Sequence, residues 1–344
     1  MLRIVTDIAG LERVAPPGIS VTSFPAARYE KHWARNLLLL LAALRSDHLV
    51  VHFQLVDVLF FSFFLTLIPF HACRVTTLDF FIGQPNPRFL PVIRFLLGRV
   101  ARFLVYFRDS SWFERMLSLP ASKFHYIPFK VNALELIQAT PSVDQGYIFS
   151  GGRSRRDFAT FFDAVGDLGY PVKLITGKET DLAPNGSTLA GLAVPPNVEI
   201  LNQDSSAGFF IRSLAGARLV VLPLVRDSTT QAGIGVYLQA MAAGKCVIIS
   251  DGLGVGDVLT GDQARIVPPG DVAALRSAIE QLWNDNALRE RYAQTGRRYA
   301  EPLGGEDELR RSVLRALPAS GRAAQALLAA CFLASAGVSS WLHF

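Results

Sequence analysis

The amino-acid sequence predicts an α/β protein made of two doubly wound parallel-sheet domains. Three observations carry that class. Short β-branched runs alternate with helical patterns every ten to fifteen residues, the rhythm of strand–helix–strand units. The chain has 344 residues, 50% of them hydrophobic and 18% charged, enough to fill two cores of ordinary size. Residues 219–250, LVVLPLVRDSTTQAGIGVYLQAMAAGKCVIIS, read as strand, polar loop, helix and strand in immediate succession.

In the first half, the runs at 2–6 and 19–24 are strands, and Ala15-Pro16-Pro17-Gly18 turns the chain between them. Residues 32–44 form a helix dense in leucine, 49–53 a strand, 56–68 a helix apolar on nearly every side, and 74–78 a further strand. Ligands of parallel sheets bind beyond the C-terminal strand ends, which picks out His52, Gln54 and the loop Asp79-Phe80-Phe81. Residues 91–108 hold Arg94, Arg99, Arg102 and Arg108 and no acid. They predict either a helix lying among lipid headgroups or a buried helix and strand whose arginines reach a cleft. Residues 123–128 and Lys130-Val131-Asn132 are expected to form the hinge into the second domain. The apolar stretch at 55–70 contains Asp57 and falls short of the ~20 residues a membrane span needs. Residues 323–344 are long enough but diluted by alanine, serine and Gln325, so attachment at a membrane surface is expected rather than crossing.

The second half opens with a strand at 147–150, followed at once by Gly151-Gly152-Arg153-Ser154-Arg155-Arg156-Asp157 and a helix at 158–168. Three arginines where a strand passes into a helix predict an anion site at the helix N-terminus, with Asp157 near its start. Strands follow at 172–176, ending at Gly177, and at 197–201, with a helix at 206–216. Gly233 and Gly235 open the short helix at 236–243, so a phosphate can approach backbone N–H groups that have no partner inside the helix. Gly244 stops that helix and 246–249 is the next strand. Residues 251–257 form a glycine loop in which Asp257 is expected to cap a following helix, and Asp271 caps the helix at 272–283.

Composition narrows the partners. The net charge of +5 suits an anionic partner such as a nucleotide diphosphate or an anionic membrane surface. The basic residues are not interleaved with base-stacking aromatics, which argues against nucleic acid. Cys73, Cys246 and Cys331 are isolated, with no Cys-x-x-Cys, so neither zinc nor a disulfide framework is indicated and a reducing cytoplasm is expected. The segment MLRIVTDIAG lacks the apolar core of a signal peptide.

Gln239-Ala240-Met241-Ala242-Ala243-Gly244 ahead of a buried strand resembles the donor-binding motif of the retaining, family-4-like nucleotide-sugar glycosyltransferases of GT-B fold. Their pattern is two glutamates with seven residues between them, followed by Ala-Met-Ala-x-Gly; here both glutamate positions are amides, Gln231 and Gln239. The resemblance is strong over 146–300 and extends to the first half only as a pattern of elements. It implies two Rossmann-like domains facing across a cleft: an acceptor-side, membrane-facing domain at 1–130 and a nucleotide-sugar-binding domain at 131–300. A helical tail at 301–344 then packs back on the first domain or on a membrane. It also implies that Arg153 and Arg156 contact the donor diphosphate together with Gly152, Gly233, Ile234 and Gly235. By the same resemblance Gly177 meets the nucleoside, Gln231 and Gln239 meet sugar and ribose hydroxyls, and Asp79 holds the polar position that faces the donor sugar.

The expected reaction moves a sugar from a nucleotide-diphosphate donor to a lipid-linked or polysaccharide acceptor, with retention of configuration. No Asp-x-Asp motif is present, so the reading needs no metal and no cofactor besides the co-substrate. The enzyme is expected in the cytoplasm, peripheral on the inner face of the membrane. The alternative is a catalytically weakened relative that lost its two acids and serves as a binding or partner subunit of a glycan-assembly system.

Overall fold

A computed structural model describes residues 1–68, 71–201, 206–226 and 229–318. The expected C-terminal tail beyond residue 318, with Cys331, lies outside the described residues. The chain divides into two compact units, Met1–Pro128 joined by Asp307 and the described residues after it, and Phe129–Glu306.

The first unit contains β1 (Leu2–Thr6), β2 (Ile19–Ser23), α1 (His32–Ala43), β3 (His48–His52) and α2 (Leu55–Leu67). It continues with β4 (Arg74–Leu78), α3 (Leu90–Leu97), β5 (Arg102–Val105), α4 (Ser111–Leu117) and β6 (Phe124–Tyr126). Its sheet has the order β2-β1-β3-β4-β5-β6, all parallel. From β2 to β6 every crossover runs the same way along the sheet, so right-handed connections put α1 to α4 on one face.

The strand β6 corrects the first part of the expected hinge, while the units divide between Pro128 and Phe129, inside it. Phe124–Tyr126 pair with β5, and the Lys123 ammonium donates to the carbonyls of Gly98 (2.7 Å) and Val100. Phe124 stacks on Phe103 at 5.3 Å. The aromatic run is an edge strand because its rings complete the core of the first sheet.

The second unit contains α5 (Leu134–Ala139), β7 (Ile148–Gly151), α6 (Phe158–Val165), β8 (Val172–Ile175), α7 (Glu179–Leu182), β9 (Val198–Leu201), α8 (Ala207–Ala215) and β10 (Leu219–Leu222). After these come α9 (Ile234–Ala242), β11 (Val247–Ser250), β12 (Arg265–Val267), α10 (Val272–Asn284) and α11 (Asn286–Ala300). Its parallel sheet has the order β12-β11-β10-β7-β8-β9. Here the crossovers run both ways, so α6 and α10 cover one face while α8, α9 and α11 cover the other. The strands are buried on both sides and read as continuous aliphatic runs.

The last described helix, α12 (Glu306–Arg315), lies on the first unit. The Arg310 guanidinium donates to the Ala9 carbonyl (2.9 Å), and Arg102 donates to Ala316 (2.6 Å). Among the described residues no helix is long and apolar enough to cross a membrane.

Candidate functional site

In a doubly wound sheet the ligand crevice opens where successive strands leave in opposite directions along the sheet. In the second unit that point lies between β7 and β10. The two loops emerging there are joined to each other. Asp157 N–H donates to the Pro223 carbonyl (3.1 Å), Val225 N–H donates to Arg155 (3.0 Å), and Arg156 bridges Leu224. A third loop closes on them: Gly152 N–H donates to Ile175 (3.1 Å), and the Thr176 hydroxyl donates to Gly152 (3.0 Å). Gly152, Arg153 and Arg156 are thereby held beside Thr176, the neighbour of Gly177, and beside the chain that leads to Gly233.

The two arginines have different roles. Arg153 is exposed, while its carbonyl is held by the Ser187 hydroxyl (2.7 Å), so the backbone is fixed and the guanidinium is free to meet a ligand. Arg156 is 3% exposed. Its Nε donates to the Gly151 carbonyl (2.9 Å) and its Nη1 to the Ser154 carbonyl (2.8 Å). Burial lowers its pKa from 12.5 to about 10, which leaves it charged at neutral pH. Arg156 braces the loop from inside, and the tight fit explains Gly152, where a Cβ would collide with the Arg156 guanidinium. Arg155, between the two, sits at φ 54°, a region side chains rarely adopt, and is fixed there by its N–H bond to Asn185 (2.9 Å).

The expected anion site at the start of α6 is corrected. The carboxylate of Asp157 accepts from Thr160 N–H (3.0 Å) and from its hydroxyl (2.7 Å), so the helix end is occupied by its own cap. The cations at this place, Arg153, Arg155 and Arg156, belong to the 152–156 loop and not to the helix end. The start of α9 matches the expectation better. Gly233, at φ 80°, is the N-cap and offers no side chain, and no backbone carbonyl among the described residues takes the N–H of Ile234 or Gly235. Two orphan N–H groups at the positive end of a nine-residue helix make an anion-binding end.

Gln231 is half-buried just ahead of this turn. Gln239, eight residues on, donates its amide to the carbonyl of Asn132 (3.2 Å). The sequence placed Asn132 only in the expected hinge and not at this turn: a Cβ at Gly235 would lie 2.9 Å from its Nδ2. Nothing in the local sequence marks it, because it reaches α9 from a segment about a hundred residues away. The loop after β11 is also corrected. Asp257 caps no helix; it accepts from Gly254 N–H (2.8 Å), while Asp251 accepts from Gly252 (2.8 Å) and Gly256 (3.1 Å). Glycine amides folded onto two carboxylates turn the chain without a helix.

The first unit has a crevice point of its own, between β1 and β3. Asp7, after β1, accepts from His52 N–H (2.9 Å) and lies 3.3 Å from His52 Nδ1 at the end of β3. The hydrogen bond to Asp7 raises the His52 pKa above 6.5 against the opposing effect of burial, and the Asp79 charge raises it further. Half of the His52 side chain is exposed, so the imidazole is oriented by an acid and open to a ligand. Asp79, after β4, stands at φ 62° with its N–H on the Leu104 carbonyl (3.1 Å). Such a backbone is costly for aspartate and clusters at ligand sites. Asp7 escaped the sequence reading because its partner stands 45 positions away. Among the described residues no group of three His, Cys, Asp or Glu is placed to hold a metal ion.

Residues 173–285 match the family described as glycosyl transferases group 1. The capsular polysaccharide biosynthesis glycosyltransferase CapM of Staphylococcus aureus is 31% identical over 144 residues, 41% of this chain; the match spans 36% of that relative's length. Sucrose-phosphate synthase from Thermosynechococcus elongatus has a similar structure, with TM-score 0.66 and 16% identity over 91% of this chain and 98% of that one. HepE from Anabaena, solved in complex with UDP, gives TM-score 0.64 at 15% identity, covering 91% of this chain and 98% of that one. At such identities the likeness establishes the fold, two parallel-sheet domains of the GT-B kind.

Proposed function

We propose that this chain, a GT-B protein with a group 1 glycosyltransferase domain at residues 173–285, moves a sugar from a nucleotide-diphosphate donor to a lipid-linked or polysaccharide acceptor. The observation that carries the reading is the joining of the β7 and β10 loops at the crevice point of the second sheet, with Gly152 and Thr176 tied in. The solved complexes of HepE with UDP and with UDP-glucose support a nucleotide sugar as donor, and the capsular role named for CapM supports a polysaccharide product.

In this reading the exposed Arg153 and the N–H groups of Ile234 and Gly235 stabilise the diphosphate as it departs. One such preorganised donor typically lowers the barrier by about 2.7–4 kcal/mol. Arg156 acts through the 152–156 loop, which it holds in shape. Gly177 meets the nucleoside, and Gln231 and Gln239 border the ribose and sugar. Asp79 lies on the acceptor-side unit with the Asp7–His52 pair. The glycosidic C–O bond to the diphosphate breaks as the acceptor oxygen bonds to the same face of the sugar, and the acceptor proton passes to the departing phosphate oxygen. Arginine and backbone N–H carry the leaving charge, so the reading calls for no divalent cation. The enzyme works in the cytoplasm, attached to the inner face of the membrane.

A thermal-shift series with nucleoside diphosphates tests the donor half. Saturation at 100 times Kd raises stability by about 2.7 kcal/mol. If no nucleoside diphosphate raised Tm, the proposal would fail. One observation favours the second reading, a binding subunit without turnover: Gln239 is built into the fold through Asn132, a bond that a glutamate cannot donate. Replacing Gln239→Glu sets a carboxylate against that carbonyl and is expected to cost about 1–3 kcal/mol. A Gln231→Glu/Gln239→Glu protein that gains transfer activity over the parent would favour the subunit reading.

A further inference from the structure

The helices α1, α2 and α3 carry large apolar residues on their outer faces as well as their inner ones, and α1 and α2 also bury polar groups. The inner faces of α1 and α2 hold Arg35, Asn36, Asp57 and Ser62, all buried. Asp57 accepts from Asn36 (2.7 Å) and Arg35 (3.0 Å) and lies 2.9 Å from the His32 imidazole. The outer faces carry large apolar residues in stripes. On α1, Trp33, Leu37 and Leu41 repeat every four residues and are 66%, 44% and 53% exposed. On α2, Val56, Phe63 and Leu67 form a second stripe, and on α3 Val92 and Phe95 form a third, flanked by exposed Arg88 and Arg99. α1 packs on α2 and α2 on α3, so the stripes share one side of the sheet. Of fifteen large apolar side chains exposed among the described residues, thirteen lie in residues 1–128; the others are Val143 and Val194.

Charge follows the same division. Residues 1–128 hold 14 lysines and arginines against 8 acids, and the remaining residues hold 20 against 21. From residue 80 to residue 108 there are five arginines and no acid. At the edge of α3 an open cavity of 510 Å³ is lined by Arg94, Arg99 and Lys123 among its residues, with Phe95 at its margin. Arg94 is held there by the Met116 carbonyl (3.0 and 2.9 Å), and Arg99 lies over the Phe95 ring at 4.8 Å. Exposed apolar stripes, rimmed by cations that pair with no carboxylate among the described residues, match a bilayer interface: acyl chains for the apolar stripes and phosphates for the rim.

We propose that the outer faces of α1, α2 and α3 dock this protein on an anionic phospholipid bilayer, with the Arg94–Arg99–Lys123 cavity receiving a lipid phosphate. This rests on the transferase reading only in that a lipid-linked acceptor then lies in the same surface. The apolar stripes enter the acyl boundary, and among the described residues no helix is long and apolar enough to cross it.

The test is co-sedimentation of the full chain with vesicles of phosphatidylcholine alone or with phosphatidylglycerol at about one third. Binding is expected to the mixed vesicles, with Trp33 fluorescence quenched by brominated acyl chains and the quenching lost in Trp33→Phe. The Val56→Ser/Phe63→Ser/Leu67→Ser protein is expected to bind at least tenfold more weakly. If that variant fails to fold, Arg88→Glu/Arg99→Glu, at two exposed positions, is expected to give a similar loss. Equal binding of parent and variants, binding to neither vesicle, or displacement only by changes in residues 319–344 would each overturn the proposal. So would an apolar face covered by a second copy, read as a dimer in sedimentation equilibrium that the triple variant dissociates, or millimolar inorganic phosphate binding with no vesicle binding. Nucleoside diphosphate binding, measured alongside, keeps a failure of docking separate from a failure of the donor reading.

Discussion

Both sheets are six parallel strands, but they differ in strand order and in how they meet solvent. The second sheet is covered on both faces, its helices turn apolar sides inward, and its unit is close to neutral. The first sheet places α1 to α4 on one side, hides an ion network beneath them and shows the apolar side chains outward. The sequence pattern that fits a water-facing helix is present in the second unit, while α1, α2 and α3 of the first are apolar on both their inner and outer faces. The difference teaches that one fold class can carry two kinds of surface, with the proposed donor site on one unit and the exposed apolar stripes on the other.

The largest expected effect that sharpens this contrast comes from the buried network. Replacing Asp57→Ala leaves Arg35 and Asn36 facing a vacated site and is expected to cost roughly 3–5 kcal/mol. Denaturant unfolding followed with nucleotide binding checks whether the loss stays in the first unit. A second test uses the two histidines at opposite ends of β3. His48 is 1% exposed and burial lowers its pKa from 6.5 to about 4. Its folded pKa lies below the unfolded one, so the unfolded chain takes up the proton first as pH falls. Stability is therefore lost between about pH 6.5 and 4, by roughly 3 kcal/mol for this group. The difference between parent and His48→Gln melts over that window isolates it.

Next in size, Arg153→Ala is expected to lower kcat/KM about a hundredfold. Tm should hold, because the side chain is exposed and has no role in the loop's bonding. Arg156→Ala is the contrast: it should lower Tm as well, since two carbonyls lose their buried donor. The smallest effect separates His52 from His48. Asp7 raises the His52 pKa, so its stabilisation is present below the unfolded value and fades as pH rises through the folded one. Asp7→Asn should move the His52 titration, followed by NMR, to lower pH; an unmoved titration would show that the pair does not couple.

Much of the architecture was legible in the sequence. The strands from 2–6 to 246–249 and the cap Asp271 follow from local propensity, because each depends on neighbours within a few residues. Boundaries slipped where side chains from afar decided them. Phe124–Tyr126 read as a linker and is a strand, because Phe103 and Phe113 supply its packing. Ser111–Leu117 and Leu134–Ala139 are helices too short to show a period.

The sequence alone determined the class of fold, the glycine turns at 152 and 233, and the grouping of arginines around residue 153, since these rest on backbone conformation and residue type. Only the tertiary structure decided which arginine faces outward, that Asp157 occupies its own helix end, that Asp7 orients His52, and that Asn132 reaches Gln239. It also decided which side of the leucine-rich helices meets the surroundings. These are matters of direction between segments tens to a hundred residues apart, and a hydrogen bond or a packed face records a meeting in space that no local pattern encodes.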